Sequence, residues 1–282
     1  MSPLGFHQNV YWDWPSPGPG APCLVMVHGL TRNGRDFDAI AKALSPDFHV
    51  VCPDVVGRGK SAWLANGALY SYPQYAADAA ALIAQVAGLG PVDWLGTSMG
   101  GLIGMTIASM PGSPIRRLIL NDIGPFLPAA PLHRIAAYVG QDPRFADLPA
   151  VAAYLKAVHS GFGNLSDADW ARMASHSARR LPDGGYALVY DPGIATPFAA
   201  GPIADVDLWP FWDKITCPVL VLRGANSDLL LPETAAEMVR RKPGTTLVEF
   251  PDCGHAPALL DPGQIAVVHD WLETTAPLMG AP

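Results

Sequence analysis

A serine set between two glycines, at the junction of a strand-like and a helix-like run, is the feature that most restricts the fold of this chain. The pentapeptide Gly96-Thr97-Ser98-Met99-Gly100 follows the apolar run Val92–Gly96 and opens the helix-like stretch Gly100–Met110. A backbone that turns sharply from strand to helix leaves no room for side chains two residues away from the serine. A turn that merely contains serine is the alternative, and the flanking runs disfavour it. The pattern predicts a tight strand-turn-helix unit from which Ser98 projects.

The rest of the chain alternates between strand-like and helix-like runs. The strand-like runs are rich in Val, Ile and Leu without polar alternation, which is typical of strands covered on both faces; they are Cys23–His28, His49–Pro53, Val92–Gly96, Leu118–Asn121, Val219–Arg223 and Thr246–Phe250. Helical patterns separate them, at Asp36–Leu44, Tyr75–Ala87, Gly100–Met110, Pro232–Arg241 and Pro262–Leu272. This alternation predicts an α/β fold with a mostly parallel sheet flanked by helices.

The alternation stops between Gly124 and Asp213, where helical and aromatic patterns replace the strands. Ser166 and Asp169 form a capping-box pair ahead of Trp170, which predicts a helix start there. An insert at this point of an α/β sheet covers the carboxyl ends of the strands, where such sheets bind ligands. We therefore predict a core of residues 1–123 and 214–282 and a helical cap of residues 124–213.

Composition narrows the partners. The 282 residues carry 25 acidic and 18 basic side chains, a formal charge of −7, and no basic block, which argues against a nucleic-acid groove or an anionic membrane surface. No stretch reaches the roughly 18 uncharged apolar residues of a membrane helix, and the N-terminus lacks a secretory pattern. A cytoplasmic protein acting on a small molecule is expected. The four cysteines form no C-x-x-C pair and are expected to be buried thiols.

A serine hydroxyl needs a neighbouring base, usually a histidine oriented by a carboxylate. His255 follows the run Thr246–Phe250, and Asp228 follows Val219–Arg223, so both lie at carboxyl ends of predicted strands. Other carboxylates compete for the orienting role. They are Asp122, Asp205 and Asp252, of which Asp122 is the serious rival because it ends the run Leu118–Asn121.

Together these motifs resemble the α/β-hydrolase fold family, in which nucleophile, acid and histidine follow in that order. Besides the serine turn, His28-Gly29-Leu30 resembles the family's H-G loop, and the segment Asp54–Ser61 resembles its D-x-x-G-x-G-x-S turn. The resemblance covers nearly the whole chain. Its commoner arrangement favours Asp228 over Asp122, and the expected catalytic residues are Ser98, Asp228 and His255.

The resemblance also implies the remaining parts of a site. The backbone N–H groups of Leu30 and Met99 would form the oxyanion hole, and His28 would support the loop that carries Leu30. Arg32 is a candidate for binding a substrate carboxylate, and Phe126, Trp209 and Trp212 are candidate pocket walls. The chemistry needs only protein groups and water, so neither a cofactor nor a metal is expected. An inward-facing pair among Arg134, Arg179 and Arg180 would favour an acidic substrate.

These residues predict a serine hydrolase that cleaves a small, largely apolar carboxylic ester or lactone through an acyl-enzyme. Hydrolysis of a carbon–carbon bond is one alternative, disfavoured because such relatives have a glycine-rich continuation after H-G, where this chain reads Leu30-Thr31-Arg32-Asn33. A dehalogenase would carry aspartate in place of Ser98. A ligand-binding module with little turnover is the alternative from another class. The oligomeric state is not predicted.

Overall fold

The predicted alternation of strands and helices is present in the structure, a computed structural model that describes residues 1–16, 18, 20–88 and 90–276. Strands β1 to β11 lie, in chain order, at Val10–Trp14, Cys23–Val27, His49–Asp54, Val92–Thr97, Ile115–Asn121, Phe126–Leu127, Ala178–Arg180, Tyr186–Leu188, Val206–Asp207, Val219–Gly224 and Thr246–Phe250. All six predicted strand runs are confirmed to within a few residues.

Seven strands form one sheet in the order β1-β3-β2-β4-β5-β10-β11. Strand β1 is antiparallel to β3 at one edge, and the other pairs are parallel. Strand β4, which leads into the serine turn, lies between β2 and β5. Because parallel strands end at the same edge, the residues that follow β2, β4, β5, β10 and β11 meet around the end of β4.

Helices α1 to α9 lie at Asp38–Leu44, Tyr72–Ala87, Met99–Ala108, Ala129–Ala136, Leu148–Val158, Asp167–Ser177, Trp209–Trp212, Pro232–Arg241 and Pro262–Thr274. Short 3-10 helices occupy Gly34–Phe37, Gly67–Leu69, Ser160–Phe162 and Pro192–Ala199. The predicted helix Asp36–Leu44 is therefore divided between a 3-10 turn and α1. The other four predicted core helices match α2, α3, α8 and α9.

Hydrophobic cores lie on both faces of the sheet, which is why its central strands lack polar alternation. Successive residues of a strand point to opposite faces, and accordingly Leu24 and Met26 pack with α1 and α9, while Val25 and Val27 pack with α2 and α3. The central strands β2 and β10 are buried at every position. This rigid two-sided packing fixes the strand ends from which the site is built.

The segment between β5 and β10 leaves the large sheet and carries helices α4 to α7. Its helix α6 begins with the predicted capping box, in which Ser166 and Asp169 bond each other's backbone N–H. It also contains two small antiparallel pairs, β6–β9 and β7–β8, which the predicted helical cap did not include. Its apolar side chains join the core cluster on the α3 face. The boundaries of the cap at residues 124 and 213 stay a prediction.

Two backbone hydrogen bonds tie this segment to the turn after β3. The Gly59 N–H donates to the Val189 carbonyl at 2.8 Å, and the Asp191 N–H donates to the Gly57 carbonyl at 2.8 Å. The Tyr70 hydroxyl also donates to the Asp191 carboxylate at 2.5 Å. We call this junction the 57–59 tether. Among the described residues, no helix is long and apolar enough to cross a membrane.

Candidate active site

Ser98 lies at the turn between β4 and α3. Its backbone has φ 51° and ψ −115°, a conformation that residues other than glycine rarely adopt. The flanking glycines are required by close packing. A Cβ on Gly96 would overlap the Gly100 backbone, and a Cβ on Gly100 would overlap the Val27 carbonyl. The strained φ persists because this packing dictates it. The turn points the Ser98 hydroxyl out of the sheet edge, as the sequence pattern predicted.

The Ser98 hydroxyl is hydrogen-bonded to His255, which is in turn bonded to Asp122. The distance from Ser98 Oγ to His255 Nε2 is 2.9 Å, and the distance from His255 Nδ1 to Asp122 Oδ2 is 2.7 Å. An ionised carboxylate can only accept a hydrogen bond, so the ring proton lies on Nδ1, which donates a hydrogen bond to Asp122. Nε2 is then free to accept the Ser98 proton. Ser98, His255 and Asp122 are thus in one chain of hydrogen bonds, the arrangement that nucleophilic catalysis by serine requires.

Asp122 is fully buried at the carboxyl end of β5, where its carboxylate has three donors. Besides His255, the Gly224 N–H donates to Oδ1 at 2.7 Å and the Ser227 hydroxyl donates to Oδ2 at 2.5 Å. Its own N–H donates to the Leu222 carbonyl of β10 at 2.8 Å, and its φ is 54°. Such donors stabilise the ionised form of a buried carboxylate and fix its direction.

The expectation that Asp228 orients His255 is wrong in this geometry. Asp228 is half-exposed and bonds Arg134 instead, with distances of 2.8 to 3.0 Å. The cause lies in the turn after β10, where Ser227 points inward to Asp122 and the next residue points out. Ser227, three residues after Gly224, thus takes the inward position. Asp122, at the end of the neighbouring strand, supplies the carboxylate that contacts His255. The choice of Asp122 depends on contacts between neighbouring strands, which no local pattern in the sequence shows.

The two predicted oxyanion donors flank Ser98. The backbone N–H groups of Leu30 and Met99 donate to no acceptor among the described residues, and Met99 opens helix α3. The loop of Leu30 approaches the nucleophile closely, since a Cβ placed on Gly29 would lie 3.7 Å from Ser98 Cβ. Neither amide is therefore occupied by an acceptor in the described part of the chain, and the oxyanion hole stays a prediction.

His28 supports that loop from below. Its Nδ1–H donates to the Gly29 carbonyl at 2.7 Å, and its Nε2 accepts from the Val55 N–H at 2.9 Å. Both bonds require the neutral ring. Burial lowers the pKa of His28 to about 3, so the ring stays neutral at physiological pH.

Arg58 is a functional candidate that the sequence reasoning missed. This fully buried side chain donates to the carbonyls of Leu30 and Val56 at 2.8 Å and to the Tyr75 hydroxyl at 3.0 Å. Its second terminal nitrogen lies 3.5 Å from Met99 Sδ. No carboxylate pairs with it within the described part of the chain. A buried, unpaired cation thus contacts both residues whose amides flank Ser98, and only its position between two glycines of the D-x-x-G-x-G-x-S turn hinted at this.

A cavity of about 60 Å³ opens over Ser98 and His255. The segment between β5 and β10 contributes apolar and aromatic side chains to its walls, namely Ile135, Tyr138, Val158, Phe162 and Met173. Its charged or ring-nitrogen lining besides Ser98, His28 and His255 consists of Arg32, Asp36, Arg134 and His159. The prediction that Arg32 faces the pocket agrees with this geometry.

The other three predicted pocket residues do not line this cavity. Phe126 pairs with Asp207 in the small β6–β9 sheet. Trp209 stacks under the Arg241 guanidinium at 4.3 Å, and Trp212 is buried in the core. Trp209 and Trp212 attach the segment to the rest of the protein, whereas the pairing of Phe126 lies within the segment. Periodicity alone could not separate such packing residues from pocket walls.

His159 is a buried histidine within the cavity wall. Its ring stacks on Phe162 at 4.7 Å between centroids and meets the edge of Tyr138 at 6.4 Å. Burial lowers its pKa well below the ordinary value, and Arg32, His255 and Arg134 lower it further. The cavity wall therefore carries a neutral imidazole among positive charges. In the described ranges, no three His, Cys, Asp or Glu side chains are grouped as a metal site requires.

Comparison with known proteins places this geometry in a family. Residues 24–268 match the model of the alpha/beta hydrolase family. The chain is 47% identical over 278 residues to a 3-hydroxybutyrate-oligomer hydrolase of Cupriavidus necator, covering 95% of this chain and 93% of that protein. It is 29% identical over 235 residues to a 2-(acetamidomethylene)succinate hydrolase of Mesorhizobium japonicum, covering 83% and 81%.

Solved structures show the same relationship. A putative hydrolase from Rickettsia typhi is 33% identical with a TM-score of 0.89, over 96% of this chain and 92% of that one. An alpha/beta hydrolase from Novosphingobium aromaticivorans is 36% identical with a TM-score of 0.83, over 95% and 99%. The predicted fold and family are therefore confirmed, and the chain belongs to the alpha/beta hydrolase family and is a hydrolase of that fold.

Proposed function

We propose that this hydrolase cleaves a small carboxylic ester or lactone with Ser98 as nucleophile, His255 as general base and acid, and Asp122 as the orienting carboxylate. The observation that carries the proposal is the unbroken hydrogen-bond chain from Ser98 Oγ through His255 to Asp122. Asp122 thereby takes the role that sequence reasoning gave to Asp228. Arrangement and roles, rather than positions in the chain, identify such a triad.

Acylation follows from the contacts. His255 Nε2 takes the Ser98 proton as Oγ attacks the ester carbonyl, and Asp122 stabilises the imidazolium that forms. The negative charge on the carbonyl oxygen is then bound by the free N–H groups of Leu30 and Met99. Donors placed in advance need no reorganisation, and one such donor accounts for about 10²–10³ in rate. When the carbon–oxygen bond breaks, His255 gives its proton to the leaving alcohol.

Deacylation reverses these roles with water as the nucleophile. His255 Nε2 removes a proton from water, the hydroxide attacks the acyl-enzyme, and the same two amides bind the oxyanion. The proton returns to Ser98 Oγ as the acid product leaves. Each cycle therefore consumes one ester and one water and yields one acid and one alcohol.

We infer that the substrate is a short linear oligomer of 3-hydroxybutyrate, the compound that names the relative at 47% identity. Its ester bonds join four-carbon hydroxy acids, and the small apolar cavity suits a short acyl group better than a long chain. A dry apolar cavity of about 150 Å³ accommodates benzene, so the cavity over Ser98, at about 60 Å³, is small by comparison.

The test is steady-state hydrolysis of p-nitrophenyl acetate, butyrate and octanoate and of the linear 3-hydroxybutyrate dimer. We expect Ser98→Ala to lower kcat by at least about 10⁴-fold, as loss of a triad nucleophile does, while the exposed Ser175→Ala control keeps full activity. We expect butyrate to be cleaved at least tenfold faster than octanoate. Residual turnover by Ser98→Ala near the wild-type rate would refute the serine mechanism, and a preference for octanoate would refute the short acyl group.

A further inference from the structure

The Arg134–Asp228 ion pair is not used by the chemistry described so far. Arg134 extends from helix α4 and lines the cavity over Ser98, whereas Asp228 follows β10 and is not part of the cavity lining. The pair is bidentate, with Arg134 Nε and Nη2 donating to the two oxygens of Asp228. Arg134 thus reaches the cavity from one side while a carboxylate outside the cavity occupies its donors.

The exposure of this pair makes its carboxylate exchangeable. The side chains of Arg134 and Asp228 are 47% and 51% exposed. Ion pairs exposed to this degree contribute little to stability, so a second carboxylate can displace Asp228 at small cost. The guanidinium fork, already shaped around one carboxylate, accepts another with the same geometry.

Arg32 provides a contrast within the same cavity. Its side chain is 4% exposed, and its Nε and Nη2 donate to Asp36 at 2.7 and 2.6 Å. Asp36 itself lines the cavity and neutralises this charge in place. A carboxylate of the substrate would have to break a buried bidentate pair there, so Arg134 is the arginine that is available.

The electrostatics of the cavity favour an anion at Arg134. The neighbouring His159 is kept neutral by burial and by the positive charges of Arg32 and Arg134. Asp36 is the carboxylate of the cavity lining, and it is already engaged with Arg32. Once Asp228 is displaced, the positive charge of Arg134 faces the cavity without an ion-pair partner from the described residues.

From this geometry we propose that Arg134 binds the free carboxylate of the ester substrate by exchanging it for Asp228, and so selects acidic esters over neutral ones. The proposal rests on the proposed function and adds its specificity. A linear 3-hydroxybutyrate oligomer carries one ester-linked apolar chain and one terminal carboxylate. Ser98 and the apolar walls would take the ester, and Arg134 would take the terminus.

The test compares two substrates that differ only in this charge. One is the linear 3-hydroxybutyrate dimer, and the other is the same dimer with its terminal carboxylate converted to the primary amide, which has the same shape. The quantity measured is the ratio of kcat/KM for the acid to kcat/KM for the amide. We expect this ratio to exceed ten in the wild-type enzyme.

Variants of the ion pair then show which residue causes the preference for the acid over the amide. Arg134→Gln is expected to lower the ratio at least tenfold, and Asp228→Asn is expected to raise it, because the substrate no longer competes with an ionised carboxylate. The control is Arg144→Gln, which removes an exposed, ion-paired arginine outside the cavity and is expected to leave the ratio unchanged. The opposite signs at Arg134 and Asp228 are the signature of exchange.

Other outcomes overturn the proposal. A pair that merely fastens α4 to the core would make Arg134→Gln and Asp228→Asn move both substrates alike, with an unchanged ratio. A wild-type enzyme that cleaves both substrates equally well would also refute it. Failure of the proposed function gives a different result. The ester bond of the amide-terminated dimer would then not be cleaved, or its cleavage would persist in Ser98→Ala.

Discussion

At the scale of single residues, contacts that cross between strands decide which carboxylate meets His255. Strands β5 and β10 are neighbours, and each is followed by an aspartate near its carboxyl end, Asp122 and Asp228. Only Asp122 is directed to His255, because its own N–H is fixed by Leu222 and its carboxylate by Gly224 and Ser227. The orientation of one side chain therefore depends on a neighbouring strand distant in sequence.

Asp122→Asn is expected to lower kcat by about 10³–10⁴, because an amide at this position no longer favours the His255 tautomer that accepts the Ser98 proton. The measurement is p-nitrophenyl butyrate hydrolysis at neutral pH. Asp228→Asn should lose less than tenfold, since its carboxylate does not contact His255. The exposed Asp252→Asn, in the loop that carries His255, is the control and should retain wild-type activity. A larger loss in Asp228→Asn than in Asp122→Asn would contradict the assignment.

We expect Arg58 to affect the reaction through the residues that it contacts, Leu30 and Met99. Arg58→Met removes the donors to the Leu30 and Val56 carbonyls while keeping a long side chain. We expect kcat to fall about 10- to 100-fold with KM changed less than threefold, since a displaced oxyanion donor weakens the transition state more than the ground state.

The control is Lys60→Met, at an exposed position of the same turn, which should leave both constants unchanged. A loss of folded protein without a loss of kcat per folded molecule would give Arg58 a purely structural role. Arg58→Lys, which restores a buried cation, should recover part of kcat.

At the residue scale, the sequence predicted Ser98 and His255 because each is linked to a local signal. Ser98 stands in a turn that needs its two glycines, and His255 lies in the loop that follows a strand. The choice between Asp122 and Asp228, the isolated charge of Arg58 and the pocket position of Arg134 could not be predicted. All three depend on which side chains meet across the folded chain.

At the scale of elements, core strands and helices were predictable because the spacing of their hydrophobic residues and the residues at their boundaries are local features of short segments. Helix α8 and strand β11 match the predicted bounds. The pairs β6–β9 and β7–β8 were not predicted, since strands of two or three residues are too short to show a period. Their pairing is decided by the tertiary structure around them.

The capping box of α6 gives a stability prediction for one element. Ser166→Ala removes the side chain that accepts the Asp169 N–H, and such a change typically costs about 1 kcal/mol. We expect this decrease in the free energy of unfolding by urea denaturation. Ser175→Ala, at an exposed position of the same helix, is the control and should change it by less than about 0.5 kcal/mol. Equal effects of the two substitutions would show that the cap contributes nothing special.

At the scale of the whole molecule, buried neutral histidines make stability depend on pH. The pKa of His159 is lowered in the folded state, so below about pH 6.5 the unfolded chain binds a proton that the folded chain does not. The free energy of unfolding therefore falls as the pH is lowered through this range. His28, with its pKa lowered to about 3, acts in the same direction.

His159→Phe keeps the stacked ring and removes the proton. We expect the dependence of the free energy of unfolding on pH between 6.5 and 5 to become shallower by up to about 1.4 kcal/mol per pH unit. Urea denaturation at pH 7.5, 6.5 and 5.5 measures it. Ser175→Ala, at an exposed position of α6, is the comparison and should keep the wild-type slope. Identical slopes for wild type and His159→Phe would contradict the prediction.

The 57–59 tether has a consequence for how the cavity exchanges its contents with solvent. The segment that covers Ser98 is joined to the turn after β3 by main-chain hydrogen bonds, and to the turn after β10 by the half-exposed Arg134–Asp228 pair. Main-chain ladders resist the brief openings that exposed ion pairs allow. The amide protons of Gly59 and Asp191 should thus exchange slowly with deuterium, and traffic into the cavity would pass the Arg134 edge, making that arginine the first charge that an entering molecule meets.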